Sequence, residues 1–315
     1  MAQMFARTWN LGHSLWGAVA RFLGHHRLED LPFALRHRLW PLLPHLPAHA
    51  ALARSFRRPG LIELRQRHPG IEYKYLRTYL ASDLSTADKL LCLHHHHRAM
   101  QECMGADFFR LYDTPLPLWQ CEVEQRRYRI ALSYPVSLSG TPDRHDQEGD
   151  LSLLLYSDQG LLGKLNFSLV PGRVFGQNLP ELMFIGCLQC NAGAREALRR
   201  TGADLQRASA QQLLVAVAEG VAAAFKLQHL AAVGTRRQLC SGDQDFHCDY
   251  DSLWAELGGV AAGDGIFLLA LDRQPRPLAE IKKIYRSRVA RKRALLASIA
   301  VQAKGALQQA LQRAK

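Results

Sequence analysis

Apolar residues recur along this chain at two different periods, and the change of period divides it. In "LSTADKLLCLHHHHRAM", Leu90, Leu93, His97 and Met100 fall at helical spacing, and Ser85 or Thr86 can cap the start. "LWQCEVEQRRYRIALSYPV" then alternates, which places Cys121, Val123, Gln125, Arg127 and Arg129 on one face of a strand. "DLSLLLYSDQGLLGKLNFSLVPG" reads as two strands parted by a hairpin at Asp158-Gln159-Gly160. "PELMFIGCLQC" is a further apolar run of strand length.

Next come an apolar helix, "AQQLLVAVAEGVAAAFKLQH", a strand, "LAAVGTRR", a short helix, "DYDSLWAELGG", and a last strand, "DGIFLLALDR". Asp249 can cap the short helix, and Tyr250 and Trp254 share its core face at i, i+4. The order predicts an α+β (mixed α/β) protein with an antiparallel-rich central sheet. Its C-terminal half runs strand–helix–strand–helix–strand. Three regions are expected: a basic helical N-terminal region (1–70), the α+β core (71–272) and a basic C-terminal helix (273–315).

Proline positions shape the first region. Pro32, Pro41, Pro44, Pro47, Pro59 and Pro69 each remove a backbone donor, so short helices are expected there. Ten arginines against Glu29, Asp30 and Glu63 give this stretch a charge of +7. The apolar patch near the start is bracketed by Arg7 and Arg21, well short of the roughly 18 apolar residues of a membrane span. It also has a short apolar core for a signal peptide. Seven cysteines scattered over 315 residues suit a reducing compartment better than a disulfide scaffold. A cytoplasmic protein is expected, with any contact to the inner membrane made from the side.

Charge narrows the partners. A net +12, with a pI near 9.6, favours an anionic membrane surface or a phosphorylated ligand. Nucleic acid is disfavoured because no reading module is recognisable, and a protein partner stays open. Seven of the cations fall between Lys282 and Arg293 with no acidic residue among them. Downstream, Leu296, Ile299, Ala303, Leu307 and Leu311 form an apolar stripe, which either packs on the sheet or lies on lipid.

The four histidines His94–His97 cannot converge on one ion, because on a helix His94 and His97 share a face while His95 and His96 point elsewhere. One packed histidine among solvated ones is expected, and no metal site. Cys187-Leu188-Gln189-Cys190 lacks a second pair for zinc, and the two thiols are read as small hydrophobes. No P-loop, dinucleotide fingerprint or nucleophile elbow is present. Arg199-Arg200-Thr201-Gly202-Ala203 is weakly similar to a phosphate-cradling turn between strand and helix.

In combination, "YLRTYLASDLSTADKLLCLHHHHRAM", "LMFIGCLQC", the helix ending in "LAAVGTRRQ", "DYDSLWAELGG" and "RSRVARKRALL" resemble the VirK/YbjX family of bacterial proteins, over roughly residues 70–295. The family's strand-end motif matches at Ile185, Gly186, Leu188 and Gln189, and its Tyr-Asp-x-x-Trp motif at Tyr250, Asp251 and Trp254. Cys190 stands where the family tends to have Gly, and the next loop keeps little of the family's pattern beyond Thr201. The resemblance implies a role in virulence or envelope integrity in Gram-negative bacteria, with membrane association, and no established chemistry.

The element order also looks like that of the GNAT N-acetyltransferase fold. That likeness implies acyl-CoA, or a related acyl donor, lying against the strand that precedes the long helix. Gln189 and the 191–207 loop would then face the cofactor, with Arg195, Arg199 and Arg200 on its phosphates. Tyr250 would be a general acid, so Tyr250 and Gln189 are the candidate catalytic residues.

Overall fold

A computed structural model describes residues 40–68, 70–104, 110, 114–136, 138, 146–242 and 248–313. The expectations for the apolar patch between Arg7 and Arg21, and for Pro32 and Pro69, fall outside these residues. From residue 40 the prolines do cut the chain into short pieces. A 3-10 turn (Trp40–His45) leads into α1 (Leu46–Ser55), which carries Pro47 in its first turn, where a missing N–H costs nothing. Then come α2 (Leu61–Arg67) and a second 3-10 turn (Ile71–Leu76). The histidine-bearing helix α3 (Thr86–Met104) starts at Ser85, whose Oγ accepts the Asp88 N–H at 3.1 Å.

Among the described residues eight strands follow: β1 (Leu116–Val123), β2 (Arg126–Ser133), β3 (Leu151–Ser157), β4 (Gly160–Val170), β5 (Leu182–Cys190), β6 (His229–Val233), β7 (Val260–Ala261) and β8 (Ile266–Ala270). They form one sheet in the order β1-β2-β3-β4-β5-β6-β8-β7. Only β5 and β6 run parallel; every other pair is antiparallel. Among the described residues after β5 lie the helices α4 (Arg195–Asp204), α5 (Ala210–Ala224), α6 (Tyr250–Glu256) and α7 (Lys283–Arg313). The architecture is α+β, as the alternating periods predict.

Two expectations are corrected. The alternating run 118–136 is two strands, not one. Glu124 and Gln125 both adopt positive φ (48° and 65°) and turn the chain in a two-residue hairpin. Arg127 therefore opposes Glu122 and Arg129 opposes Gln120, so these arginines do not share a face with Cys121 and Val123. Second, Arg199–Ala203 is not a turn but lies inside α4. Glu196 pairs with Arg199 at 3.0 Å and with Arg200 at 3.5 Å, while Ala197 and Thr201 are buried beneath, so the segment is an amphipathic helix. Its amides are not exposed to cradle a phosphate.

Of the two alternatives for the C-terminal stripe, packing within the protein holds, chiefly against a helix. Helix α5 has its capping box at Ser209 and Gln212 and is apolar nearly all round, with Leu213, Leu214, Val217 and Val221 buried. Such a helix must be covered on both sides. The sheet covers one side, and α7 covers the other with fully buried Ile299, Ala303 and Leu307. Leu296 and Leu311 pack against the same core. The stripe is thus used inside the protein and is not offered to lipid. The core is continuous from Leu52 of α1, and Phe56 just after it, to Leu307 of α7.

Candidate functional site

The run "LMFIGCLQC" makes β5 a strand buried from Leu182 to Leu188, and Gly186 interrupts it. Cys187 pairs with Asn166 and Ile185 with Phe167, so Gly186 is an extra residue, a β-bulge. A Cβ at Gly186 would lie 2.2 Å from the Glu148 carbonyl oxygen, so only glycine lets the 146–150 loop cross the strand here. The parallel pairing with β6 also ends at this point. It covers Met183↔Leu230 to Ile185↔Ala232 and nothing beyond. The ladder thus stops at Gly186, one residue before β6 itself ends at Val233, and β5 runs on to Cys190 without β6 beside it.

Helix α6 enters the gap. Asp249 caps it through the Ser252 N–H at 3.0 Å, and Asp251 accepts the Thr235 N–H at 2.7 Å. The Trp254 indole donates to the Val233 carbonyl at 2.7 Å, pinning the helix to the end of β6. These contacts aim the Tyr250 hydroxyl at the released part of β5. It accepts the Leu188 N–H at 3.1 Å and lies 3.3 Å from the Leu188 carbonyl, to which it donates. Burial pushes the Tyr250 phenol well above its usual range, with the neighbouring Cys187 and Glu148 adding to the effect. The phenol is therefore a protonated group at neutral pH.

Around the bulge the sheet face is polar although buried. Glu148 accepts from Gln238 Nε2 at 2.7 Å and from Asn166 Nδ2 at 3.4 Å, and Lys164 Nζ stands 3.6 Å away. Ser152 donates to the Asn166 amide oxygen. Burial, and then the Glu148 carboxylate, push the Cys187 thiol well above its usual range. A second group adjoins through the same loop. Lys74 Nζ reaches Asp150 at 2.7 Å and the Gly149 carbonyl at 3.0 Å, and Ser168 and Tyr79 donate to the other Asp150 oxygen. Burial opposes ionisation of Asp150, but Lys74 outweighs it and holds the carboxyl well below its usual range.

The sequence-predicted residues are only partly brought together. Gln189 follows Leu188 on β5, half-buried and opposite Lys164, so it lies beside Tyr250's contact. Arg195, Arg199 and Arg200 are exposed on α4, which begins five residues after Cys190, and the last two are occupied by Glu196. The histidines differ from expectation: His96 and His97 are both fully buried, not one packed among solvated neighbours. His96 Nδ1 accepts the Leu169 N–H at 3.1 Å, His97 packs edge-on to Phe56, and His95 meets Glu181 at 2.6 Å. Helix α3 lies close on β4, so two successive side chains are enclosed. Among the described residues no group of three or more His, Cys, Asp or Glu side chains is placed to hold a metal ion.

Sequence reasoning missed Glu148, Lys164, Asn166 and Gln238, and also Lys74 and Asp150. One signal was available: Lys164 and Asn166 alternate within the otherwise apolar "LLGKLNFSL", a pattern that puts two polar side chains on one buried face.

Residues 28–304 match the family described as "Protein of unknown function (DUF535)". The chain is also 28% identical over 258 residues to the "Uncharacterized protein YbjX" of Escherichia coli (strain K12), covering 76% of this chain and 73% of that protein. Both findings agree with the sequence resemblance to the VirK/YbjX family. No solved structure matches.

Proposed function

We propose, for a chain that belongs to the DUF535 family, that it binds a thioester acyl donor of the acyl-CoA class along the released edge of β5 and transfers the acyl group. The observation that carries this reading is the bulge at Gly186 coinciding with the end of the β5–β6 ladder, beyond which β5 runs on alone. The single parallel pair within an otherwise antiparallel order supports carrying the GNAT analogy into this reading, as analogy alone. Bulges recur beside active sites because they re-aim a strand and free its peptide groups. An extended amide-bearing arm would add to Leu188–Cys190 as a strand would, taking the Leu188 N–H and carbonyl over from the Tyr250 hydroxyl.

In this reading an amine or hydroxyl acceptor attacks the thioester carbonyl, a C–O or C–N bond forms and the C–S bond breaks. The departing thiolate takes the Tyr250 proton, and Glu148 is the nearby carboxylate that can receive the acceptor's proton. Gln189 would orient the donor, and Arg195, with Arg199 and Arg200 once drawn from Glu196, would meet its phosphates. Thermal unfolding of the intact chain with rising CoA and acetyl-CoA tests the reading. A saturable rise in Tm is expected, about 2.7 kcal/mol of stabilisation at a hundredfold excess over Kd. The joint variant Arg195→Gln, Arg199→Gln, Arg200→Gln should lose most of it. No shift with either ligand removes the donor from the reading.

A second reading is favoured by α7. Lys282 just before it and Lys283, Arg286, Arg288 and Arg291 in its first turns are exposed, and among them Ile284 is 77% and Tyr285 42% exposed. These features suit a cytoplasmic factor held peripherally on an anionic membrane, supporting envelope integrity or virulence without catalysis. Among the described residues no helix is long and apolar enough to cross a membrane.

A further inference from the structure

Resting on the membrane reading, we infer that a groove between the α4–α5 turn and α7 is a phosphate site for the headgroup of an anionic phospholipid. The groove has a volume of about 350 Å³ and is lined by Gln206, Arg207, Arg288, Val289 and Lys292. Three of these five side chains are cations and none is a carboxylate. Among the described residues Lys292 meets the Gln212 amide oxygen, at 3.4 Å, and no carboxylate. Arg288 lies over the Tyr285 ring at 4.9 Å, which holds its guanidinium without neutralising it.

The backbone beneath the groove is strained. Gln206 and Arg207 both have positive φ, 54° and 61°, a conformation that side-chain-bearing residues adopt only at a cost. The Arg207 N–H donates to the Gly202 carbonyl at 2.8 Å, so this strained turn closes α4 and sets an arginine facing α7. Glycine would relieve the strain at either position, yet it would remove a lining side chain.

The choice of a lipid comes from what adjoins the groove. Ile284, Arg288 and Lys292 recur at i, i+4, i+8 and so share one face of α7. The exposed Ile284 therefore stands one turn ahead of the groove's arginine, with exposed Tyr285 beside it. An apolar pair next to a phosphate site serves a ligand that carries phosphate at the edge of an apolar phase. A soluble phosphate would leave both in water.

The test is co-sedimentation of the intact chain, at physiological salt, with phosphatidylcholine vesicles with and without phosphatidylglycerol. Wild type should pellet with the anionic vesicles alone. The variant Arg207→Gln, Arg288→Gln, Lys292→Gln should bind about tenfold or more weakly, since each cation at such a surface counts separately. Removing equal charge around His94, by Arg57→Gln, Arg58→Gln, Arg98→Gln, should change binding by less than about twofold. Ile284→Ser should weaken binding with no change of charge. All of these side chains are exposed or half-buried, and circular dichroism checks that each variant is folded. Failure of wild type to pellet overturns the membrane reading itself. Equal losses in the two charge variants leave that reading standing and overturn the groove. Stabilisation by inorganic phosphate without pelleting overturns the lipid assignment.

Discussion

Asp150 is a carboxylate almost wholly removed from water, and Lys74, seventy-six positions earlier, is what keeps it ionised. None of this could be read from the sequence, because a buried ion pair is recognisable only when both partners are placed. The histidine run was misleading for the same reason. Its pattern shows which residues share a helix face, but not that α3 lies so close on β4 that His96 and His97 are both enclosed. Enclosure has a measurable consequence. Burial lowers His49 and His96 to about 4 and His97 to about 3. In the unfolded chain each takes a proton near pH 6.5, so below that pH the unfolded state binds more protons than the folded one. Stability is full above about pH 6.5 and is lost as pH falls towards 4. One such histidine contributes about 3 kcal/mol across that span. The urea midpoint should therefore drop between about pH 7 and about pH 5. His96→Gln, whose amide oxygen can still accept the Leu169 N–H, should flatten the drop. A midpoint unchanged with pH would mean that these imidazoles take up protons in the folded state.

At the scale of elements, the legible parts were those that local chemistry decides. Ser85 starts α3, Gly160 (φ 111°) closes the β3–β4 hairpin, and Asp249 starts α6. The β1–β2 turn escaped because Glu124 and Gln125 carry no glycine or asparagine to announce positive φ. Helix α4 escaped because its glycine and threonine resemble a loop. The packing of α5 under α7 turns on one residue. A Cβ at Gly220 would lie 2.3 Å from the Ala300 carbonyl oxygen and 2.9 Å from the Ala303 Cβ. Two effects oppose each other in Gly220→Ala. Helix propensity favours alanine by about 1 kcal/mol, whereas overpacking costs about 1–3 kcal/mol. The first obstacle is backbone, which no rotamer change can move, so the steric effect should win. Gly220→Ala is expected to lower the denaturation midpoint, and a raised midpoint would show that α7 can slide on α5 at little cost.

At the scale of the whole molecule, the C-terminal helix joins two roles that the sequence presented as one. In the sequence the cationic first turns and the apolar stripe read as one helix, either lying on lipid or packing its stripe on the sheet. The structure divides them along its length, with Lys282–Arg293 largely facing outward and Ile299, Ala303 and Leu307 completing the core. A helix so divided is both the cover of α5 and the carrier of the charge. It also fixes the basic face relative to the sheet that holds Tyr250 and Glu148. Removing it should therefore not yield a core lacking only its membrane contact. A chain ended at Lys282 would expose the outer face of α5, whose buried apolar residues number far more than one stripe requires. Each large side chain returned to water loses about 1.5–3 kcal/mol, and three or four such losses equal much of a domain's total stability of about 5–15 kcal/mol. The truncated chain should be recovered insoluble, or soluble without a cooperative thermal transition. The full chain carrying Arg207→Gln, Arg288→Gln, Lys292→Gln should stay soluble with its transition intact. A truncated chain that unfolds cooperatively at the wild-type temperature would make α7 an appendage and return its stripe to the membrane.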